Sequence, residues 1–515
     1  MELNVTKSKT KELDVMKSSI LHRPIKKVIL IFPPVNHPRT YSKECCLPMG
    51  IAYLGAVLRD HYEVRLLDAV VEGHHLERDI TPQIFQYGLD TDMIMERIRD
   101  FAPDVVGMSC LFSHQFPVVA ELAKKVKAWN PEVITITGGT HPTFLPERCL
   151  REEALDYIVM GEAEESLPAL LKAIETGSDH QDIDGLAFRT NDGQVIHPKT
   201  AWIKDLDSLP FPARDLLPLQ KYFDINVPFL FFSKHRRNIS FISSRGCPFK
   251  CNFCSSSIYW GSRYRARSPE NVLAELEHLK TVHDIKEIKF EDDNLTLDTK
   301  RTKAIFRGMI ERKLNLSWNM PNGVMVKTMA DRELVRLMKK SGCYEVSLAF
   351  ESGDQWVLDN IVNKPVDLEA ARGIVRNVQE EGIDTHAFFI IGFPGEKLAQ
   401  IRNTFAYAHS LNLDKMIVFC FNPLPGTSLY KECLERGLIR DADQCEENSY
   451  LINGISDQDW TPEILGKMYR REELRFFFSL LFRRPGKFFG KYLRRRLRLD
   501  QIRTFYDWFV DRFGK

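Results

Sequence analysis

The stretch "NISFISSRGCPFKCNFC" (238–254) opens on an apolar, strand-like run and closes on three crowded cysteines, Cys247, Cys251 and Cys254. Their spacing is C-x3-C-x2-C. Thiolates are soft ligands suited to zinc or to iron–sulfur clusters. Structural zinc wants four closed ligands. Within thirty residues after Cys254 only His278 and His283 are on offer, and neither has a partner cysteine. A four-iron cluster held by three thiolates instead leaves one iron open to a further ligand. A zinc site, or three unligated core cysteines, is the plainer alternative.

Five more strand-like runs follow: "EIKFEDDNL" (287–295), "LSWNMPNG" (316–323), "YEVSLAFESG" (344–353), "THAFFIIGFPG" (385–395) and "KMIVFCFNPLPG" (415–426). Amphipathic segments such as "DRELVRLMKKSG" lie between most of them. Six strand–helix units over 237–440 predict a (β/α)6 partial barrel, whose chemistry gathers at the carboxyl ends of the strands. Upstream, residues 26–175 alternate apolar strands with helical runs. "KKVILIFPP" (26–34), "EVRLLDAV" (63–70) and "DMIMERIRDFAPDVVGMSC" (92–110) set the pattern. That pattern predicts a doubly wound, Rossmann-like parallel sheet, with its ligand beyond the carboxyl ends of the strands. Residues 1–25 read as a polar tail. Residues 176–236, rich in Gly, Asp and Pro, read as a connector with one small hairpin. Residues 441–515 read as helical, aromatic and basic.

Bulk properties bound the rest. The chain has 515 residues, 44% hydrophobic and 27% charged, with a net charge of +1. No global field argues for nucleic acid. No apolar run reaches the ~18 residues of a spanning helix. The polar N-terminus lacks the apolar core of a secretory signal. Eleven cysteines spread along a long chain do not form a secreted disulfide framework. The expected compartment is the cytoplasm.

The cysteine loop at the end of a barrel strand resembles the radical SAM superfamily. The resemblance implies that Cys247, Cys251 and Cys254 hold a [4Fe-4S] cluster whose open iron is chelated by S-adenosylmethionine (SAM). An electron from the cluster then breaks a carbon–sulfur bond of SAM, giving a 5′-deoxyadenosyl radical, and an external flavodoxin- or ferredoxin-type donor resupplies it. Phe253 precedes the third cysteine. By the same resemblance, "FEDDN" brings Glu291, Asp292 and Asp293 to the amino group of SAM, in place of the family's Gly-Gly-Glu. "FESG" brings Glu351 and Ser352 to the ribose, and Lys364 of "NKP" can reach the carboxylate. Gly392 and Pro394 of "IGFPGE" lie where adenine is expected.

A doubly wound sheet ahead of such a barrel resembles the cobalamin-binding domain of one large subgroup, the class B radical SAM methyltransferases. The features are "LPMGIAYLGAVL" (47–58), "TGGTHPTFLPE" (137–147) and "VMGEAEESL" (159–167). They imply corrinoid contacts from Ser109, Gly138, Gly139, Thr140, His141, Gly161 and Glu162. "PPVNHPRTY" lacks the Asp-x-His-x-x-Gly pattern of a lower axial ligand, so His37 is a weak candidate and His141 reads as a hydrogen-bonding or packing residue. A nucleotide or flavin site is the competing reading of the sheet, and no G-x-G-x-x-G follows its first strand.

The subgroup's typical reaction implies methylation of an unactivated carbon or phosphorus centre of a small molecule. Two alternatives stay open. One is a radical cyclisation or rearrangement without methyl transfer; the other is a cobalamin- or SAM-sensing module. Methylthiolation of tRNA would want a second cysteine cluster, which Cys45, Cys46, Cys110 and Cys149 do not make. The stretch "RRPGKFFGKYLRRRLR" (483–498) has eight basic residues and no acidic one. Arg483, Arg484, Lys487, Lys491, Phe488 and Phe489 form either a solvated face or a peripheral contact with a membrane or another anionic partner.

Overall fold

The computed structural model describes residues 23–39, 43–227, 233–441 and 455–487. The N-terminal tail and the basic stretch from Phe488 onward, with Phe489 and Lys491, lie outside the described residues.

The front half is built on β1 (Lys27–Phe32), β2 (Val35–Pro38), β3 (Glu63–Asp68), β4 (Glu77–Asp79), β5 (Ile84–Tyr87), β6 (Val105–Ser109), β7 (Ile134–Gly138) and β8 (Tyr157–Val159), followed by β9 (Leu186–Thr190) and β10 (Gly193–Ile196). The main sheet has the order β10-β9-β8-β7-β6-β1-β3. Its first five strands in the chain, β1, β3, β6, β7 and β8, pair in parallel. Their apolar side chains are buried between helices on both faces, which is why they read as near-continuous hydrophobic runs. The strand order reverses at β1, between β3 and β6. That is the switch point where a sheet of this kind opens a ligand crevice.

The hairpin expected in the connector is β9–β10, and it does not stand apart. β9 pairs antiparallel with β8 and extends the front sheet by two strands. The strands β2, β5 and β4 form a small separate sheet that the apolar pattern did not announce. It buries His37 against Phe85 and Tyr87.

The second half opens with β11 (Asn238–Phe241). A two-stranded ribbon follows, β12 (Ser244–Arg245) with β13 (Arg265–Ala266). Then come β14 (Glu287–Phe290), β15 (Ser317–Val324), β16 (Cys343–Glu351), β17 (Asp384–Ile391) and β18 (Lys415–Cys420). The strands β11, β14, β15, β16, β17 and β18 are neighbours in that order, all parallel, and β18 does not close onto β11. This is the six-stranded open barrel the sequence predicts. Local signals set its helices. Ser268 caps Pro269–Val282 and Asp331 caps Arg332–Ser341, each accepting from a first-turn backbone N–H. Gly342, at φ 115°, ends the latter helix in the left-handed region.

One apolar core runs from the inner face of the front sheet into the barrel; a second lies on the sheet's outer face. The connector binds the halves together. Arg214 pairs with the buried Glu275 and donates to the Ser240 carbonyl, and Tyr222 donates to the Asp68 carboxyl. At the far end, Trp460 is buried and the helix Pro462–Arg483 packs through Leu465, Phe476 and Leu480. Arg484 and Lys487, expected in a free basic patch, are drawn onto the barrel by Asp414 and Asp384. Phe478 and Phe482 remain exposed. Among the described residues no helix is long and apolar enough to cross a membrane.

Candidate active site

The carboxyl ends of the front strands and the mouth of the barrel face one cavity of about 680 Å³. The front half brings Ser109, Gly138, Gly139, Thr140 and Gly161 to its wall. Barrel residues on the same wall are Phe253, Cys254, Glu291 and Asp293. His37 lines it too, its Nδ1 3.1 Å from the Pro38 carbonyl.

The cysteines occupy the loop between β12 and β13. This loop is fastened from several sides. The Gly246 N–H donates to Asp293 at 2.9 Å. The Asn252 N–H donates to the Val362 carbonyl at 2.9 Å, and its side chain donates to the Ile361 carbonyl at 2.8 Å. Asn363 donates to the Lys250 carbonyl at 3.1 Å. None of the three thiols is in a disulfide. Burial pushes Cys251 up to about 11 and Cys254 up to about 12, so neither thiol ionises readily unless a cation takes up its charge. Among the described residues no three His, Cys, Asp or Glu side chains converge on a single-ion site. Three soft donors on one anchored loop, with no fourth, are a donor set that fits a cluster with one open iron.

The SAM candidates separate. Of the three acids that follow β14, Asp293 accepts from Gly246 and from the Ser256 hydroxyl at 2.6 Å, beside the cysteine loop. Asp292 is turned away from the cavity, under Ser243 and Ser244. Glu291 faces the cavity and accepts from the Ser240 hydroxyl at 2.6 Å. Glu351, at the end of β16, holds φ 70°. A non-glycine residue in this region signals backbone strain, of the kind that gathers at functional sites. Its carboxylate pairs with Lys364 at 2.6 Å. Burial opposes the Lys364 charge, yet Glu351 and the nearby Cys251 and Cys254 raise its pKa. Ser352 is fully buried, bonded to Thr404 at 3.1 Å and to the Asp354 N–H, and does not reach the cavity.

Gly392, at φ 80°, begins the turn after β17, and Phe393 meets Phe253 edge-on at 6.0 Å. Glu396, which the sequence reading passed over, clamps this turn. Its carboxyl accepts from the Gly392 N–H at 2.7 Å and from the Phe393 N–H at 3.1 Å. Burial pushes it up from 4.5 to about 8 despite those two N–H groups. The unfolded chain therefore ionises this residue before the folded one does. Its contribution is full below about pH 4.5 and is lost as pH rises to about 8. Glu396→Gln is expected to gain stability relative to the native chain across that window, and melting midpoints between pH 6 and 9 measure the gap. Parallel curves would remove Glu396 as the cause.

On the front wall, Gly50 lines the cavity and has no atom beyond its own helix within 4 Å of where a Cβ would sit. Gly139, at φ 113°, would set a Cβ 2.7 Å from the Cys110 carbonyl. Two glycines and the Ser109 and Thr140 hydroxyls make a wall that a flat macrocycle and its polar tail can approach closely. His141 stands off the cavity; its Nδ1 is 3.0 Å from the Ser113 hydroxyl and its ring packs on Phe116. Glu162 lines the cavity, but its carboxylate is occupied by Arg245, by Arg265 and by the Ile203 N–H.

Arg245 is the site residue the sequence reading missed, although it directly precedes Gly246 and Cys247. Its guanidinium donates to Glu162 at 2.8 Å and to Glu164 at 2.6 Å. It lies between the rings of Tyr53 and Trp260. Burial works against ionisation of Glu164, but Arg245 leaves its pKa lowered. The cysteine loop is thus moored to the front sheet by charge.

The family description "B12 binding domain" matches residues 39–171, and "Radical SAM superfamily" matches residues 241–408. The chain is 31% identical over 483 residues to cytidylyl-2-hydroxyethylphosphonate methyltransferase of Streptomyces wedmorensis, covering 87% of this chain and 90% of that one. It is 29% identical over 394 residues to the anaerobic magnesium-protoporphyrin IX monomethyl ester cyclase of Rubrivivax gelatinosus, covering 75% of this chain and 66% of that one. The fold matches that of the radical S-adenosylmethionine methyltransferase TsrM from Kitasatospora setae, solved with cobalamin and a [4Fe-4S] cluster bound. That match has a TM-score of 0.63 and 19% identity, over 80% of this chain and 78% of that one.

Proposed function

The chain belongs to the cobalamin-dependent radical SAM enzymes, and from that premise we propose that it methylates an unactivated carbon or phosphorus centre of a small molecule. One observation carries the reading: the front strand ends and the cysteine loop open onto a single cavity, where a substrate can meet both cofactors. When bound, the cluster supplies an electron for SAM cleavage and the corrinoid supplies a transferable methyl group.

Every other role falls to the chain. Cys247, Cys251 and Cys254 would ligate the cluster, on a loop that Asp293, Asn252 and Asn363 hold still. Asp293 would accept from the SAM amino group, and Lys364, beside Cys251 and Cys254, would meet its carboxylate. Glu351 orients that lysine. Glu396 holds the Gly392–Pro394 turn open for adenine, with Phe253 packed across it. Ser109, Gly138, Gly139, Thr140 and Gly161 would seat the corrinoid. The apolar walls keep water from a carbon radical. A flavodoxin- or ferredoxin-type protein is the proposed reductant.

The phosphonate named for the Streptomyces relative is not carried across. Arg245, the one Lys or Arg on the cavity wall among the described residues, is already paired with Glu162 and Glu164. The Rubrivivax relative favours a second reading, ring formation without methyl transfer. Anaerobic reconstitution with iron, sulfide and hydroxocobalamin, then reduction with SAM, separates the two. Methyl transfer is expected to yield S-adenosylhomocysteine alongside 5′-deoxyadenosine in the mass spectrum. Deoxyadenosine alone supports ring formation, and neither product defeats both readings.

A further inference from the structure

Five carboxylates line the cavity: Glu44, Glu162, Glu164, Glu291 and Asp293. Two guanidiniums meet them and both are committed: Arg245 is shared between Glu162 and Glu164, and Arg265 pairs with Glu162. Asp293 accepts from Gly246 and Ser256 and is assigned above to the SAM amino group. Glu291 differs. Its Oε1 accepts from Ser240, while among the described residues its Oε2 meets no hydrogen bond or ion pair. Its backbone is fixed by Asn322, which donates to the Glu291 carbonyl at 2.7 Å. Ile242, Leu424 and Phe253 give the same wall an apolar surface. An anionic substrate would meet no uncommitted cation on this lining, whereas a carboxylate oxygen left without a partner beside apolar side chains is stabilised by a cation brought in with the ligand.

We infer that Glu291 is the substrate-recognition group of this cavity and takes the protonated nitrogen of an otherwise apolar amine. The inference rests on the function proposed above and names the substrate class for the same site. Glu291 is then a specificity residue distinct from Asp293 and Asp292, its neighbours in the chain. Burial supports the assignment. It pushes the Glu291 carboxyl up to about 7, so the charged form is held at a cost that a bound ammonium relieves.

Equilibrium dialysis of the reconstituted protein, with cobalamin and cluster in place, tests this with three dansyl probes. They are dansylcadaverine, its N-acetyl derivative, and the dansyl amide of 6-aminohexanoic acid. A charge-assisted contact should favour the amine over the neutral probe by about tenfold or more, with the acid weakest. Glu291→Gln keeps an acceptor for Ser240 and should bring the amine and its acetyl derivative to within about twofold. Equal binding of all three probes by the native protein overturns the inference, whether or not the variant folds. So does an amine preference that survives in Glu291→Gln. Cofactor uptake is read separately, from the cobalamin absorption and the cluster spin signal. Failure there counts against the proposed function; full uptake without amine preference counts against Glu291 alone.

Discussion

Cys251→Ala is expected to reduce 5′-deoxyadenosine formation from SAM to the uncatalysed background while leaving hydroxocobalamin uptake intact. The loss should exceed the roughly 10- to 100-fold that removal of an outer partner of a metal site costs, because a direct donor is gone. The variant should still fold. The loop around Cys251 is fixed by Asp293, Asn252 and Asn363, none of which bonds the Cys251 thiol. The wall proposed for the corrinoid, Ser109, Gly138, Gly139 and Thr140, lies at the carboxyl ends of β6 and β7 in the front sheet. Iron and sulfide content, the low-temperature spin signal with added SAM, the cobalamin absorption and chromatography of deoxyadenosine read the four quantities separately. Persistent deoxyadenosine would remove Cys251 from the cluster. Joint loss of cobalamin would show that the two halves do not hold their cofactors independently.

Glu162→Ala should produce the largest loss of stability among substitutions at the junction of the halves. Glu162 is 2% exposed and faces Arg245 and Arg265, 5% and 9% exposed. Removing it leaves Arg265 without an ion pair, holding only the Ile203 carbonyl, leaves Arg245 with Glu164 alone, and takes the acceptor from the Ile203 N–H. Breaking a buried pair from one side costs about 3–5 kcal/mol. The paired charges themselves contribute less than that, since their desolvation offsets much of the attraction. Glu162→Gln should therefore lose less, and Glu162→Ala combined with Arg265→Met should recover part of the loss. Apparent melting midpoints of the four proteins decide it. A double variant no better than Glu162→Ala would contradict a cost arising from stranded charge.

Period and apolarity made the barrel and the parallel front strands legible, because strands buried on both faces must be hydrophobic along their length. The cysteine loop was legible because its spacing is itself the chemistry. The β9–β10 hairpin was legible but its sheet was not, for the complementary reason. It is a partly polar antiparallel edge, and nothing local says which sheet it joins. "EDD" looked like one functional unit, yet alternation along an extended chain sends Glu291 and Asp293 one way and Asp292 the other. That signal was present and unused. Arg245 was missed because its partners lie about eighty residues earlier, in the turn after β8, and only tertiary structure brings the charges together. Ser352 fits a polar site by type, but Thr404, 52 residues further on, takes its hydroxyl.

Arg245 belongs to the strand that launches the cysteine loop, while its counter-ions belong to the turn after β8. The two halves therefore cannot be exchanged between related enzymes as independent cassettes. A hybrid cut anywhere in the connector would inherit the arginines from one parent and the acids from the other. Recombination would preserve the lock only where both parents kept the same ionic key.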